Sequence, residues 1–418
     1  MNYLFINHSV PSRHANGGPA TIYALIEAAI KSGHVVTVIA IAYSDIEDQD
    51  VKYIDELEKL GAKVYSYYLR DDVQVPLSKF RGYLSGAIFF KVTWKAFYNS
   101  YSPQLAKLID DIKPDKVICY HWDSLALASN LDKHHIVGLL GDPINAPPYR
   151  QCKYLLFSCR VFEFKVLLRF VYFSLLNILA RRVTRHLLLK CKHVISFQYG
   201  ECSLYKSLGF DSADYLPTPI SDSVAQVGYH FTRIKNANVR FRVLLGPSNL
   251  NATVTRAGLS YFCVNILPCL LKRYGEDFFE FRIVGEGSAT DIFASHLNKG
   301  YLTFTGRVEP PDTEFLNADL QLSLTPFKLG NRVRVSTGMM YGCPIIVSSC
   351  EAFNIQELKH GHNCLIGNSA HDIFNCVVDV IEYPGLRDSL SEASRTTYLK
   401  YNLPSIVWDR LTTLCNGV

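Results

Sequence analysis

Short apolar runs rich in β-branched residues alternate with stretches of helical period through the first two hundred residues. Tyr3–Asn7, Val35–Ala42, Lys63–Tyr68, Lys116–Tyr120, Ile136–Leu140 and His193–Phe197 read as strands. Ala20–Ser32, closed by Gly33, and Cys202–Leu208 have the spacing of helices, and Tyr215–Leu216 is a stub of strand. Strands alternating with helices predict a parallel sheet covered on both faces. Pro217-Thr218-Pro219 breaks the pattern and Ile220–Arg240 shows no core period, so a linker is expected there. A second run then follows, with strands at Phe241–Leu245, Phe279–Val284, Leu302–Thr305, Leu320–Leu324, Ile345–Ser348 and Cys364–Ile366 and a helix at Gly258–Tyr274. The prediction is an α/β chain of two Rossmann-like domains, 1–219 and 241–384, joined by the linker 220–240. Ligands on such sheets sit beyond the carboxyl ends of the strands, so the cleft between the halves is the expected active site.

Composition supports this picture. The chain has 418 residues, 48% hydrophobic and 19% charged, which suits a globular protein with more than one core. Its first residues run straight into a strand pattern, so no secretory signal is expected. The twelve cysteines are scattered without a CxxC pair, which predicts reduced thiols in a cytosolic protein. The histidines, among them His8, His34, His134, His135, His360 and His362, have no metal-site spacing, and no metal or cofactor is expected.

The net charge of +5 hides a local excess. Between Arg150 and Lys192 stand ten Lys or Arg against one acid, Glu163, so that segment carries +9 and the rest about −4. The segment is also apolar, but its longest neutral run, Phe170–Ala180, is eleven residues and too short to span a bilayer. A basic, aromatic-rich helical stretch predicts a segment lying on an anionic membrane surface. The plainer alternative is a buried helix pair whose arginines reach out to water. Nucleic-acid binding has no supporting motif.

Candidate chemistry sits at strand ends. Gly17 and Gly18 lie between the first strand and first helix, where backbone N–H groups meet a helix dipole; taken alone, an ordinary strand-to-helix turn explains them better. His121 follows Lys116–Tyr120 and Asp142 follows Ile136–Leu140, both placed for an acceptor-side polar role or for simple capping and turn formation. In the second half, Ser248 follows the first strand and Arg256 opens the next helix. Gly285 and Glu286 end the next strand, and Gly306 and Arg307 the one after. The stretch Pro326–Gly367 then brings Gly330, Asn331, Arg332 and Arg334 to the start of a small-residue helix containing Ser336 and Thr337. Cations and free N–H groups at a helix N-terminus suit a diphosphate.

These motifs, in this order, resemble the donor half of GT-B glycosyltransferases of family 4 type. The matching pieces are the Gly246-Pro247-Ser248-Asn249 loop, Arg256-Ala257-Gly258, the Ile283–Gly287 turn, Leu302–Val308 and the helix ending in Gly342-Cys343-Pro344. The resemblance is specific over Phe241–Gly367 and looser before it. It implies a GT-B fold whose final helices, residues 385–418, return to the N-terminal domain, with Leu403–Leu414 docking through Trp408. It implies a hexosyltransferase that takes a nucleotide diphosphate-sugar and retains anomeric configuration without a metal. The acceptor would be a glycan or a polyprenyl-diphosphate-linked intermediate of bacterial surface polysaccharide such as O-antigen, lipopolysaccharide or capsule. The enzyme would then be cytoplasmic and peripheral on the inner face of the cytoplasmic membrane. Arg332, Arg334, His121 and Asp142 become the catalytic candidates. One departure stands out: the two glutamates of the family fall on Leu329 and Thr337. That leaves room for an epimerase-like enzyme on the same fold, or for a non-catalytic homologue acting as a binding partner.

Overall fold

Runs of Val, Ile and Leu too short to make a helix become the strands of two parallel sheets. The computed structural model describes residues 1–15, 17–42, 48–68, 107–128, 135–144, 146–157, 163–224, 240–330 and 332–416. These fall into two units, Met1–Pro219 with Val407–Val418, and Ile220–Ile406.

The first unit contains β1 (Asn2–Asn7), α1 (Gly18–Lys31), β2 (Val35–Ala42), α2 (Asp48–Leu60), β3 (Lys63–Tyr68), β4 (Lys116–Tyr120), α3 (His121–Ala128), β5 (Ile136–Leu140), α4 (Ala146–Phe157), α5 (Phe164–Leu188), β6 (His193–Ser196), α6 (Tyr199–Ser207) and β7 (Ala213–Tyr215). The sheet runs β3-β2-β1-β4-β5-β6-β7, with Phe5 in register with Val38 on one side and Ile118 on the other. Period-two alternation splits β1 between two cores: Tyr3 and Phe5 face one, Leu4 and Ile6 the other. Burial on both faces is why these strands read as continuous apolar runs.

The second unit contains β8 (Phe241–Asn249), α7 (Thr253–Asn265), α8 (Leu267–Tyr274), β9 (Phe279–Glu286), β10 (Leu302–Gly306), α9 (Asp312–Asn317), β11 (Leu320–Ser323), α10 (Val333–Met340), β12 (Ile345–Ser348), α11 (Ser349–Ala352), β13 (Leu365–Gly367), α12 (Ala370–Glu382) and α13 (Pro384–Tyr401). Its sheet runs β10-β9-β8-β11-β12-β13, the same winding as the first six strands of the other sheet. In each, the order reverses beside the first strand, which is where such sheets bind ligands.

Three boundaries differ from the sequence expectation. The helix expected over Gly258–Tyr274 begins earlier and is two helices meeting at Ile266, because Pro268 lacks an N–H and takes the first turn of α8. Thr253–Tyr274 is apolar and long enough to cross a membrane by length and composition alone. Its Leu259, Phe262, Ile266, Leu267 and Leu270 are nevertheless core residues of the second unit. The linker is shorter at its start, since Ile220–Val224 belongs with the second unit; residues 225–239 lie outside the described residues.

The return of the chain's end is also shorter than expected. Residues 385–406 stay with the second unit. Tyr398 is buried there and its hydroxyl donates to the Ile220 carbonyl at 2.7 Å, while Arg395 pairs with Asp222 at 2.7 Å. Only α14 (Pro404–Asn416) carries the chain back. Val407, Trp408, Leu411 and Cys415 enter the core of the first unit, with the Trp408 ring edge-on to Tyr3 at 4.9 Å.

Candidate active site

At the reversal point of the second sheet, β8 ends at Ser248 and Asn249 and β11 at Ser323. Arg334, in the first turn of α10, reaches into this corner. Its Nε donates to Ser323 Oγ at 2.7 Å, Nη1 to Ser248 Oγ at 2.8 Å and Nη2 to Glu351 Oε1 at 2.6 Å. Arg332, at the N-cap of α10, has its Nε 3.3 Å from the same carboxylate oxygen. Glu351 also accepts from Thr325 Oγ1 at 2.7 Å, and its side chain is fully buried. Ser348 caps α11 by accepting from the Glu351 N–H and donates to the Thr325 carbonyl at 2.8 Å. One buried carboxylate therefore meets both guanidiniums and the Thr325 hydroxyl, and Arg334 carries the link on to β8 and β11.

Burial alone would raise the Glu351 carboxyl; Arg334 and Arg332, with hydroxyls at Ser323 and Thr325, more than offset this and hold it below its ordinary value. Two arginines against one carboxylate leave the cluster one positive charge in excess, at a helix N-terminus. That is a fixed, low-exposure arrangement suited to an anion. Gly246, Ser248 and Arg334 line a pocket with the apolar Leu245, Leu322 and Leu324.

The other sequence candidates divide. Gly285 must be glycine because a Cβ there would lie 1.8 Å from the Ser248 carbonyl oxygen, at φ +153. Gly258 is likewise a packing position, where a Cβ would meet the Leu324 carbonyl oxygen at 1.9 Å. Arg256, in the first turn of α7, donates to the Ser288 carbonyl at 2.9 Å and pairs with Asp291 in the loop after β9. Glu286 and Arg307 approach at 3.7 Å, and Arg307 pairs more closely with Glu309 at 2.7 Å. Gly306 ends β10 at φ +70, and Gly330 takes φ +72 while its carbonyl accepts from Asn354 at 3.1 Å. Ser336 is buried, and Thr337 bonds its hydroxyl back to the Val333 carbonyl at 3.0 Å. Leu329 is buried too. Asn331 lies outside the described residues.

The reversal point of the first sheet gathers a different chemistry. Gly17 is the N-cap of α1 at φ +66, with open space beside it. Gly18 lies so close to β4 that a Cβ would be 2.0 Å from Tyr120 Oη. His121 packs edge-on to His8 at 4.7 Å, and burial lowers its pKa. His8 is pushed down to about 4 by burial and by His121, against a small opposing pull from Asp123. Both imidazoles are therefore neutral at neutral pH and able to accept a proton or a hydrogen bond. A Cβ on Gly141 would be 3.7 Å from His121 Nε2 and from Gln198 Nε2, so the ends of β4, β5 and β6 converge. Asp142 is tied down: its carbonyl accepts from Trp122 Nε1 at 2.8 Å and its carboxylate lies 3.7 Å from Arg150.

Sequence reasoning missed Glu351, Thr325, Ser323 and His8. A signal existed for the first, since Ser348 and Glu351 have the Ser-x-x-Glu spacing of a helix start. That spacing identifies the cap but not the two arginines the carboxylate meets.

Residues 242–382 match the family model described as "Glycosyl transferases group 1". No curated protein matches the sequence significantly. Among solved structures, Anabaena HepE in complex with UDP and glucose aligns with TM-score 0.65 at 13% identity over 100% of both chains. Sucrose-phosphate synthase from Thermosynechococcus elongatus aligns with TM-score 0.64 at 12% identity over 99% of this chain and 98% of that one. The lipopolysaccharide outer core galactosyltransferase WaaB, in its apo form, aligns with TM-score 0.62 at 13% identity over 99% of both. The two parallel sheets and these likenesses make the fold GT-B. With a glycosyl transferases group 1 domain at 242–382 on that fold, the chain is a glycosyltransferase.

Proposed function

We propose that the protein transfers a hexose, with retention and without a metal, from a nucleotide diphosphate-sugar to a hydroxyl of a lipid-linked or polysaccharide glycan. The observation that carries this reading is Arg332 and Arg334 at the start of α10, held by buried Glu351 beside Ser248. In this reading Arg332 meets the diphosphate directly. Arg334, its nitrogens engaged by Ser323, Ser248 and Glu351, supplies a fixed supporting charge. Together with the α10 N-terminus they stabilise the negative charge that develops on the departing nucleoside diphosphate. HepE is solved with UDP and glucose, which favours a uridine nucleotide among the donors. His121 and His8, neutral at working pH, take the acceptor side. WaaB, a lipopolysaccharide galactosyltransferase by name, favours a surface-polysaccharide acceptor. Such an acceptor places the enzyme at the inner face of a membrane, where the basic segment 150–192 would meet anionic lipid.

The test is a panel of UDP-, GDP-, ADP- and CMP-sugars read by thermal shift and by turnover. One donor should stabilise the fold by about 2.7 kcal/mol at a hundred times its Kd. No shift with any of them would overturn the reading.

A second reading, a homologue without transferase chemistry, is favoured by one observation: buried Leu329 and back-bonded Thr337 put no carboxylate at the two positions where the resembling family has glutamates. Slow hydrolysis of the bound donor without acceptor would count against it, whereas acceptor-free interconversion of sugar nucleotides would point to an epimerase.

A further inference from the structure

Helix α5 is apolar on two opposite sides. One side, with Leu176, Ala180, Thr184, Leu187 and Leu188, is buried against the first unit. The other exposes Phe164, Leu167, Leu168, Val171, Leu175 and Ile178, each between 42% and 73% accessible. At 100° per residue these six fall within an arc of about 100°, a continuous stripe about 21 Å long. Scattered exposed apolar residues need no explanation, but an unbroken stripe does. Phe157 at the end of α4 is exposed as well and packs on Phe170 of α5 at 5.6 Å.

The same face changes character towards its C-terminal end. Arg182, Arg185 and His186 continue the line of the stripe and are exposed, as is Arg181; Lys165 and Arg169 are exposed too but point away from the stripe. Glu163 is the one acid between Arg150 and Lys192 in the sequence. Arg150, which the sequence counted in the basic excess, is not part of this face; it pairs with buried Glu201 at 2.5 Å. The surface is thus four apolar turns followed by two cationic ones.

We infer that this face of α5 docks in the interface of an anionic lipid leaflet, tilted so that Phe164–Ile178 enters the acyl boundary while Arg182 and Arg185 hold lipid phosphates. Charge complementarity selects the occupant. An apolar stripe continuous with exposed guanidiniums matches a surface whose apolar layer lies beneath a layer of phosphates, and a nucleic acid offers only the second. The inference rests on the preceding reading for where the acceptor lies, and on the helix surface for everything else.

The experiment is co-sedimentation of the full chain with vesicles of phosphatidylglycerol and phosphatidylcholine, or phosphatidylcholine alone. The wild type should bind the anionic vesicles, less as salt rises. The variant L168Q/V171Q/L175Q changes only exposed residues and should lose binding about ten-fold or more at every salt concentration. The variant R182Q/R185Q should lose the salt-sensitive part and keep the remainder. Quenching by lipid-borne quenchers should place tryptophan deeper in Phe164→Trp than in Ile178→Trp. Wild-type protein that ignores anionic vesicles overturns the proposal, as does a stripe variant that binds like wild type. A wild-type dimer that the stripe variant turns into monomer would assign the face to a second copy instead. The donor panel reports separately on the catalytic reading, so the two can fail independently.

Discussion

Arg332 and Arg334 stand two residues apart, yet their surroundings separate their roles. Arg334 has three protein partners and shares a fully buried carboxylate, so Arg334→Ala leaves Glu351 buried with one cation fewer. Breaking such a pair from one side costs about 3–5 kcal/mol of stability. Arg332→Ala also takes a cation from buried Glu351 and should lower stability too, and it should in addition lower kcat/KM about ten- to a hundred-fold, the loss of one charge-assisted phosphate contact. Glu351→Gln should destabilise like Arg334→Ala, and the double variant should cost less than the two single losses together. Chemical denaturation beside steady-state kinetics checks the set; additive losses at Arg334 and Glu351 would sink the shared-carboxylate account.

His8 makes a prediction about pH. Its pKa is lowered from 6.5 to about 4, so between those values the unfolded chain binds more protons than the folded one. Stability contributed by neutral His8 is complete above pH 6.5 and is lost as pH falls towards 4, an effect on the order of 3 kcal/mol. Urea titrations of wild type and His8→Gln across this range should show a shallower pH slope for the variant. Parallel slopes would mean the buried imidazole is not the titrating group.

Among the elements, α14 carries the clearest energetic claim. Trp408 is 1% exposed and meets Tyr3 at 4.9 Å and His34 at 5.8 Å, against the first strand of the first sheet. Trp408→Ala removes the largest buried side chain of the helix and should cost about 3–5 kcal/mol. Leu411→Ala, one turn on in the same core, should cost about 2–5 kcal/mol. Thermal or urea unfolding tests both; a Trp408→Ala loss below about 1 kcal/mol would show that the helix is not docked as described.

For the whole molecule, the separation of chemistries matters most. The arginine–glutamate cluster belongs to the second unit and the apolar face of α5 to the first. The stripe variant L168Q/V171Q/L175Q, which should lose vesicle binding, should therefore show the same donor-induced thermal shift as wild type. Conversely, Arg332→Ala should bind vesicles normally. A stripe variant that also loses the donor shift would show that the two surfaces are not independent.

The strands and their α/β order were determined locally, because a short β-branched run between polar turns has few other options. Lys63–Tyr68, Lys116–Tyr120 and Ile136–Leu140 are strands at the boundaries their sequence predicts. The Trp408 anchor was legible for the same reason, as an apolar period behind a proline. The partners of charged side chains were not legible. Arg256 and Arg332 are both arginines at the start of helices, and only the fold gives the first to Asp291 and leaves the second beside Glu351. Glu351 meets Thr325 across 26 residues of sequence, a distance no local pattern spans. The period of α5 likewise marks an apolar helix but not which side stays outside, since that depends on what packs against it. Hydrophobic periodicity is a property of neighbouring residues in sequence, whereas charge pairing and exposure are properties of neighbours in space, and those exist only once the chain has folded.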